Sequence, residues 1–83
     1  MSSEIDNEIL FYCTDWCPDC LMAEHVLKKY KVPYKKIKIS GDTAATKIVE
    51  DINNGNRSVP TIIFPDGSIM VEPSNRELAN KIK

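Results

Sequence analysis

Eighty-three residues bound one small domain, long enough for a modest core and too short for a second. A formal net charge of -1 leaves no basic excess to neutralise phosphates, which argues against nucleic acid, and 42% hydrophobic with 28% charged residues is ordinary for a soluble globule. No apolar run approaches a bilayer span and the acidic first residues carry no apolar signal core, so a reducing cytoplasm without membrane attachment is expected.

Residues 1 to 7 read as a frayed lead-in to one domain over 1–83. Glu8 to Cys13 is predicted to be a strand, apolar on consecutive residues and therefore buried on both faces in the centre of a sheet. Cys13 reads there as a small core hydrophobe. Thr14-Asp15-Trp16 forms the exposed turn that follows, and a tryptophan beside a reactive thiol lines the surface on which a partner docks. Cys17-Pro18-Asp19-Cys20 then falls at a strand-to-helix turn. Unpaired N–H groups and the positive end of the helix dipole favour the thiolate of Cys17, while Cys20, one turn in, is the more buried sulfur. Pro18 suits the first helical position, where a missing N–H is no loss.

The helix is predicted from Pro18 to about Tyr30, with Leu21, Met22, Val26, Leu27 and Tyr30 towards the sheet and His25 in solvent. Val32-Pro33 breaks it, and Tyr34 to Ile39 gives a second strand with Ile37 and Ile39 on one side and Lys36 and Lys38 on the other. Six lysines between positions 28 and 38 form a basic sector, read as a solvated face. Asp42 or Thr43 caps a second helix carrying Ala45, Ile48, Val49 and Ile52 along one side, which ends at Asn53-Asn54-Gly55. A right-handed crossover makes the first two strands parallel. Thr61 to Phe64 is the third strand, with Pro60 at its start and a cis Val59–Pro60 bond as the sharper reading. Pro65-Asp66-Gly67-Ser68 turns the chain into an antiparallel edge strand, Ser68 to Val71. Ser74-x-x-Glu77 is a capping box that launches a last helix with Leu78, Ala79 and Ile82 inward.

A pair of cysteines two residues apart beside a βαβ pattern, in a reducing compartment, reads as a redox couple. Zinc would need four ligands, yet Cys13 sits in a predicted core strand and His25 in a helix already under way. The spacing Cys13-x3-Cys17-x2-Cys20 also matches that of radical iron–sulfur enzymes. Those need an α/β barrel of about 200 residues or more, which this chain cannot build.

With Tyr12-x3-Trp16-Cys17-Pro18-x-Cys20, then Gly55-Asn56-Arg57-Ser58-Val59-Pro60-Thr61, then Phe64-x2-Gly67, the chain resembles a glutaredoxin over residues 8 to 82. The resemblance implies an α/β, thioredoxin-like fold, a four-stranded mixed sheet of order 2-1-3-4 with three helices, and a cis proline at Pro60. It implies a thiol–disulfide oxidoreductase with Cys17 as nucleophile and Cys20 as resolving thiol, and a substrate groove bordered by Arg57, Val59 and Pro60; Thr14 and Trp16, just before the nucleophile, join them as substrate-binding candidates. No tightly bound cofactor or metal is expected. Electrons would come from glutathione, another low-molecular-weight thiol or thioredoxin reductase. Partners would be disulfide-containing proteins or mixed disulfides of small thiols, met by a monomer. Glutathione-using members usually carry tyrosine where Asp19 stands, commonly a lysine where Thr14 stands, and a Gly-Gly pair where Glu72-Pro73 stands. Glu72 would repel a glutathione carboxylate, though Ser74 and Asn75 would still offer N–H groups to an anion. These departures suit mycoredoxin-like proteins and glutaredoxin-like donors to ribonucleotide reductase; an iron–sulfur or metal carrier is the remaining alternative.

Overall fold

The computed structural model describes residues 8–82, so the expected lead-in over residues 1–7 lies outside the described residues. Strand β1 (Ile9–Cys13) is central because its consecutive apolar side chains have a helix layer to enter on either face. Ile9, Phe11 and Cys13 point one way, into a core shared with Ile62, Phe64 and the two helices α1 (Pro18–Lys29) and α3 (Asn75–Ile82). Tyr12 points the other way, into a smaller core with Ile39, Ala45 and Val49, closed by α2 (Thr43–Ile52).

The sheet order is β2-β1-β3-β4. β2 (Tyr34–Lys38) runs parallel to β1, with Ile9 opposite Tyr34 and Cys13 opposite Lys38. β3 (Thr61–Ile63) is antiparallel to β1, and β4 (Ile69–Val71) is antiparallel to β3 at the edge. This is the four-stranded mixed sheet with three helices that the sequence predicts. All four strands are bounded a little inside the predicted limits or at them.

Local chemistry sets the ends of the helices. Asp42 is the N-cap of α2, its carboxylate accepting the Ala45 N–H at 3.0 Å. The capping box on α3 is reciprocal: the Ser74 hydroxyl accepts from the Glu77 N–H at 3.1 Å, and the Glu77 carboxylate accepts from the Ser74 N–H at 2.9 Å. Gly67 takes a φ of 91° in the turn between β3 and β4, a conformation that disfavours side chains.

Three inward assignments on α1 need correction. Leu21 and Met22 are 63% and 53% exposed and Tyr30 stands at the C-cap, partly in solvent. The buried stripe is Cys20, Ala23, Val26 and Leu27, because at about 100° per residue these four share one face and leave Leu21 and Met22 on its flank. Likewise Ile48 of α2 is 41% exposed, while Ala45 and Val49 are buried.

Candidate active site

The C-terminal end of β1 and the start of α1 meet where the parallel pair β1–β2 ends. Cys17 is the N-cap of α1, in extended backbone geometry, and Pro18 begins the helix. The Cys17 sulfur accepts the Cys20 N–H at 3.2 Å, so the helix start supplies a donor directly to it. Across the groove, the Cys17 thiol lies 3.7 Å from the Val59 carbonyl oxygen, to which it donates. Cys17 is half-buried, whereas Cys20 is 3% exposed and Cys13 fully buried. All three are free thiols.

The buried sulfurs are held as thiols. Burial, and then the hydrogen bond to Cys17, push the Cys20 thiol far above the usual cysteine range. Burial likewise pushes Cys13 up. One accessible sulfur on a helix N-terminus thus sits over one protonated, shielded sulfur in the next turn.

The opposite wall is the segment before β3. The Val59–Pro60 peptide is cis. Sequence reasoning missed what holds this wall in place. The fully buried Thr61 hydroxyl donates to the Ser58 carbonyl at 2.6 Å and accepts from the Asn53 side-chain amide at 3.2 Å, while the Glu72 N–H donates to the Pro60 carbonyl at 2.8 Å. A threonine opening an otherwise apolar strand was the available signal. A second missed cluster lies beside α1: the half-buried Glu24 carboxylate accepts from the Tyr34 hydroxyl at 2.7 Å and from Lys36 at 3.1 Å. Burial alone would raise Glu24, but these two hydrogen bonds outweigh it and hold the carboxyl below its ordinary value. The Tyr34 hydroxyl is pushed up to about 12 by burial and by donating to Glu24.

The remaining candidate residues divide around the thiols. Trp16, directly before Cys17, is 93% exposed and available to a partner. Thr14 and Arg57 line a cavity of 390 Å³ with Ser40, Asp42, Lys47 and Glu50. The Arg57 Nε donates to the Glu50 carboxylate at 2.9 Å, so the guanidinium charge there is partly offset by a neighbouring carboxylate. Ser74 and Asn75 line a second cleft of 250 Å³ with Asp19, Met22 and Pro73, between the starts of α1 and α3. The expectation that Ser74 offers its N–H to an anion needs correction, because that N–H is taken by Glu77.

Among the described residues no helix is long and apolar enough to cross a membrane, and no cluster of three or more Cys, His, Asp or Glu is placed to hold a metal ion.

The sequence profile of the glutaredoxin family matches residues 9–69. A relative from Mycobacterium tuberculosis that carries a provisional glutaredoxin name is 36% identical over 78 residues, covering 94% of this chain and 93% of its own. Mycoredoxin 1 of Corynebacterium glutamicum is 34% identical over 77 residues, covering 93% and 95%. The crystal structure of a glutaredoxin from Archaeoglobus fulgidus superimposes with a TM-score of 0.75 over 100% of this chain and 94% of that one, at 23% identity, a likeness of fold. A thioredoxin-like sheet, a cysteine pair at the start of its first helix, and relatives of this identity over nearly the whole chain lead to one conclusion: the chain belongs to the glutaredoxin family and is a thiol–disulfide oxidoreductase.

Proposed function

We propose that the protein reduces protein disulfides or mixed disulfides of small thiols, with Cys17 as the attacking sulfur and Cys20 as the resolving one. The observation that carries this reading is the contrast between the two sulfurs: Cys17 is accessible and receives an N–H from the helix start, while Cys20 is buried one turn below. Cys17, as thiolate, attacks one sulfur of the substrate disulfide and releases the other as a thiol. Cys20 then gives up its proton and attacks the Cys17 sulfur of the mixed disulfide. The second substrate thiol leaves, and the Cys17–Cys20 bond has taken the oxidation. Two electrons and two protons pass to the substrate in all.

Trp16 and Val59 border the approach to Cys17, next to the buried Pro60, with Thr14 and Arg57 on the α2 side and Ser74 and Asn75 on the α3 side. The dithiol is regenerated by glutathione, another low-molecular-weight thiol or thioredoxin reductase, and the protein acts as a monomeric single domain in the cytoplasm. The test is a turnover assay on a protein disulfide such as that of insulin, offering glutathione, other small thiols, dithiothreitol and thioredoxin reductase in turn. At least one reductant is expected to sustain turnover above its own background rate. If none does, dithiothreitol included, the reading is wrong.

A further inference from the structure

Several groups at the active-site end of the sheet and at the start of α3 that would attract an anionic substrate are engaged by the protein's own carboxylates. Lys38, opposite Cys13 at the end of β2, is paired with Asp15 at 2.9 Å. Arg57 is paired with Glu50 at 2.9 Å. The Ser74 N–H at the start of α3 is taken by Glu77 at 2.9 Å, and the preceding Pro73 has no N–H to give. Such exposed pairs are individually weak and can be opened. Opening one, however, leaves its carboxylate beside the incoming anion, so the pair offers no net positive charge where a free cation would attract.

Asp19 differs from these carboxylates. It lies between the two thiols in sequence, is exposed, makes no ion pair among the described residues, and lines the cleft with Met22, Pro73, Ser74 and Asn75. Glu72 adds a second exposed carboxylate next to Pro73. Arg76 follows Asn75 in the chain but does not line the cleft. Exposed apolar area is supplied by Met22 at the cleft and by Trp16 directly before Cys17 in the chain.

We infer that the preferred substrate is an extended protein segment whose disulfide cysteine is flanked by lysine or arginine, and that Asp19 determines this specificity by pairing with the flanking cation. The inference rests on the exchange reaction proposed above and names the substrate class for it. Anionic small disulfides, glutathione disulfide among them, are the disfavoured class. Charge complementarity at the rim acts mainly on encounter and register, so the preference appears in the second-order rate and weakens with salt.

The test uses the reduced full chain and three peptide homodisulfides, of Ala-Lys-Cys-Lys-Ala, Ala-Ser-Cys-Ser-Ala and Ala-Glu-Cys-Glu-Ala, with glutathione disulfide as a fourth. Single-turnover rates are divided by the rates with dithiothreitol, which removes the intrinsic effect of charge on the disulfide itself. At low salt the normalised rate should fall from the lysine to the serine to the glutamate peptide, by about three- to tenfold at each step. The span should shrink at about 1 M salt, where screening acts within a few ångströms, and in Asp19→Asn. Equal normalised rates, the reverse order, or a span unchanged in Asp19→Asn would overturn the inference while leaving disulfide exchange standing. Reduction of none of the four faster than the uncatalysed rate would overturn both.

Discussion

Replacing Cys17 with serine is expected to lower turnover on a protein disulfide by a factor on the order of 10⁴ or more, the scale on which removal of a nucleophile acts. A serine oxygen cannot form the mixed disulfide, and neither remaining sulfur is placed to substitute. Cys13 is fully buried in the core of β1 and held as a thiol by that burial. Cys20 is 3% exposed and pushed up by burial and by its hydrogen bond to Cys17, so a bulky substrate has no path to a reactive form of it. The companion variant, Cys13→Ala, removes a core sulfur that takes no part in the exchange and should turn over within a few-fold of the unaltered protein. Rates for Cys17→Ser comparable with those of the unaltered protein, or a collapse of activity in a folded Cys13→Ala, would move the chemistry to another sulfur.

The largest effect on stability is expected at Phe11. Its ring is fully buried in the middle of β1, meets Tyr34 edge-on with centroids 5.9 Å apart, and packs in the core shared by α1, α3 and β3. Phe11→Ala should cost about 3–5 kcal/mol, the usual range for emptying an aromatic site in a core. Small domains have only about 5–15 kcal/mol in total. The variant should therefore unfold at a much lower denaturant concentration with little change in the steepness of the transition. A cost under about 1 kcal/mol would mean that the site collapses around the missing ring and that the core is organised elsewhere.

The parts of the fold that were legible in the sequence are those that short-range chemistry dictates. Consecutive apolar residues placed β1 at the centre, and Ser74-x-x-Glu77 started α3 where a reciprocal cap is found; α1, by contrast, ends before Val32-Pro33, where Lys31 takes a φ of 54° and the Lys31 and Val32 N–H groups donate to the Lys28 and Leu27 carbonyls. The redox pair was legible for the same reason, since the four consecutive residues Cys17 to Cys20 bring the sulfurs, the proline and the helix start together. Helix phase was less legible. Met22 is apolar and four residues from Val26, yet a nearly continuous apolar edge on α1 allows two inward faces, and only packing against Phe11 and Ile62 selects the one through Cys20 and Ala23.

Pairings between distant residues were not legible at all. Glu24 meets Tyr34 and Lys36 across 10 and 12 positions, and Asn53 meets Thr61 across 8, because a parallel crossover and a helix end bring them together. The capping box shows how a correct local reading can hide its consequence. Glu77 was recognised as the partner of Ser74, and that same contact withdraws the Ser74 N–H from any substrate anion.

The division of labour between the two active-site sulfurs is tested most directly by removing the resolving one. In Cys20→Ser, incubated with a peptide disulfide and analysed by mass spectrometry after acid quenching, the reaction should stop at a mixed disulfide. One peptide should be attached per chain, and proteolytic mapping should place it on Cys17. Attachment at Cys13, or the absence of any adduct in a folded variant, would contradict the account.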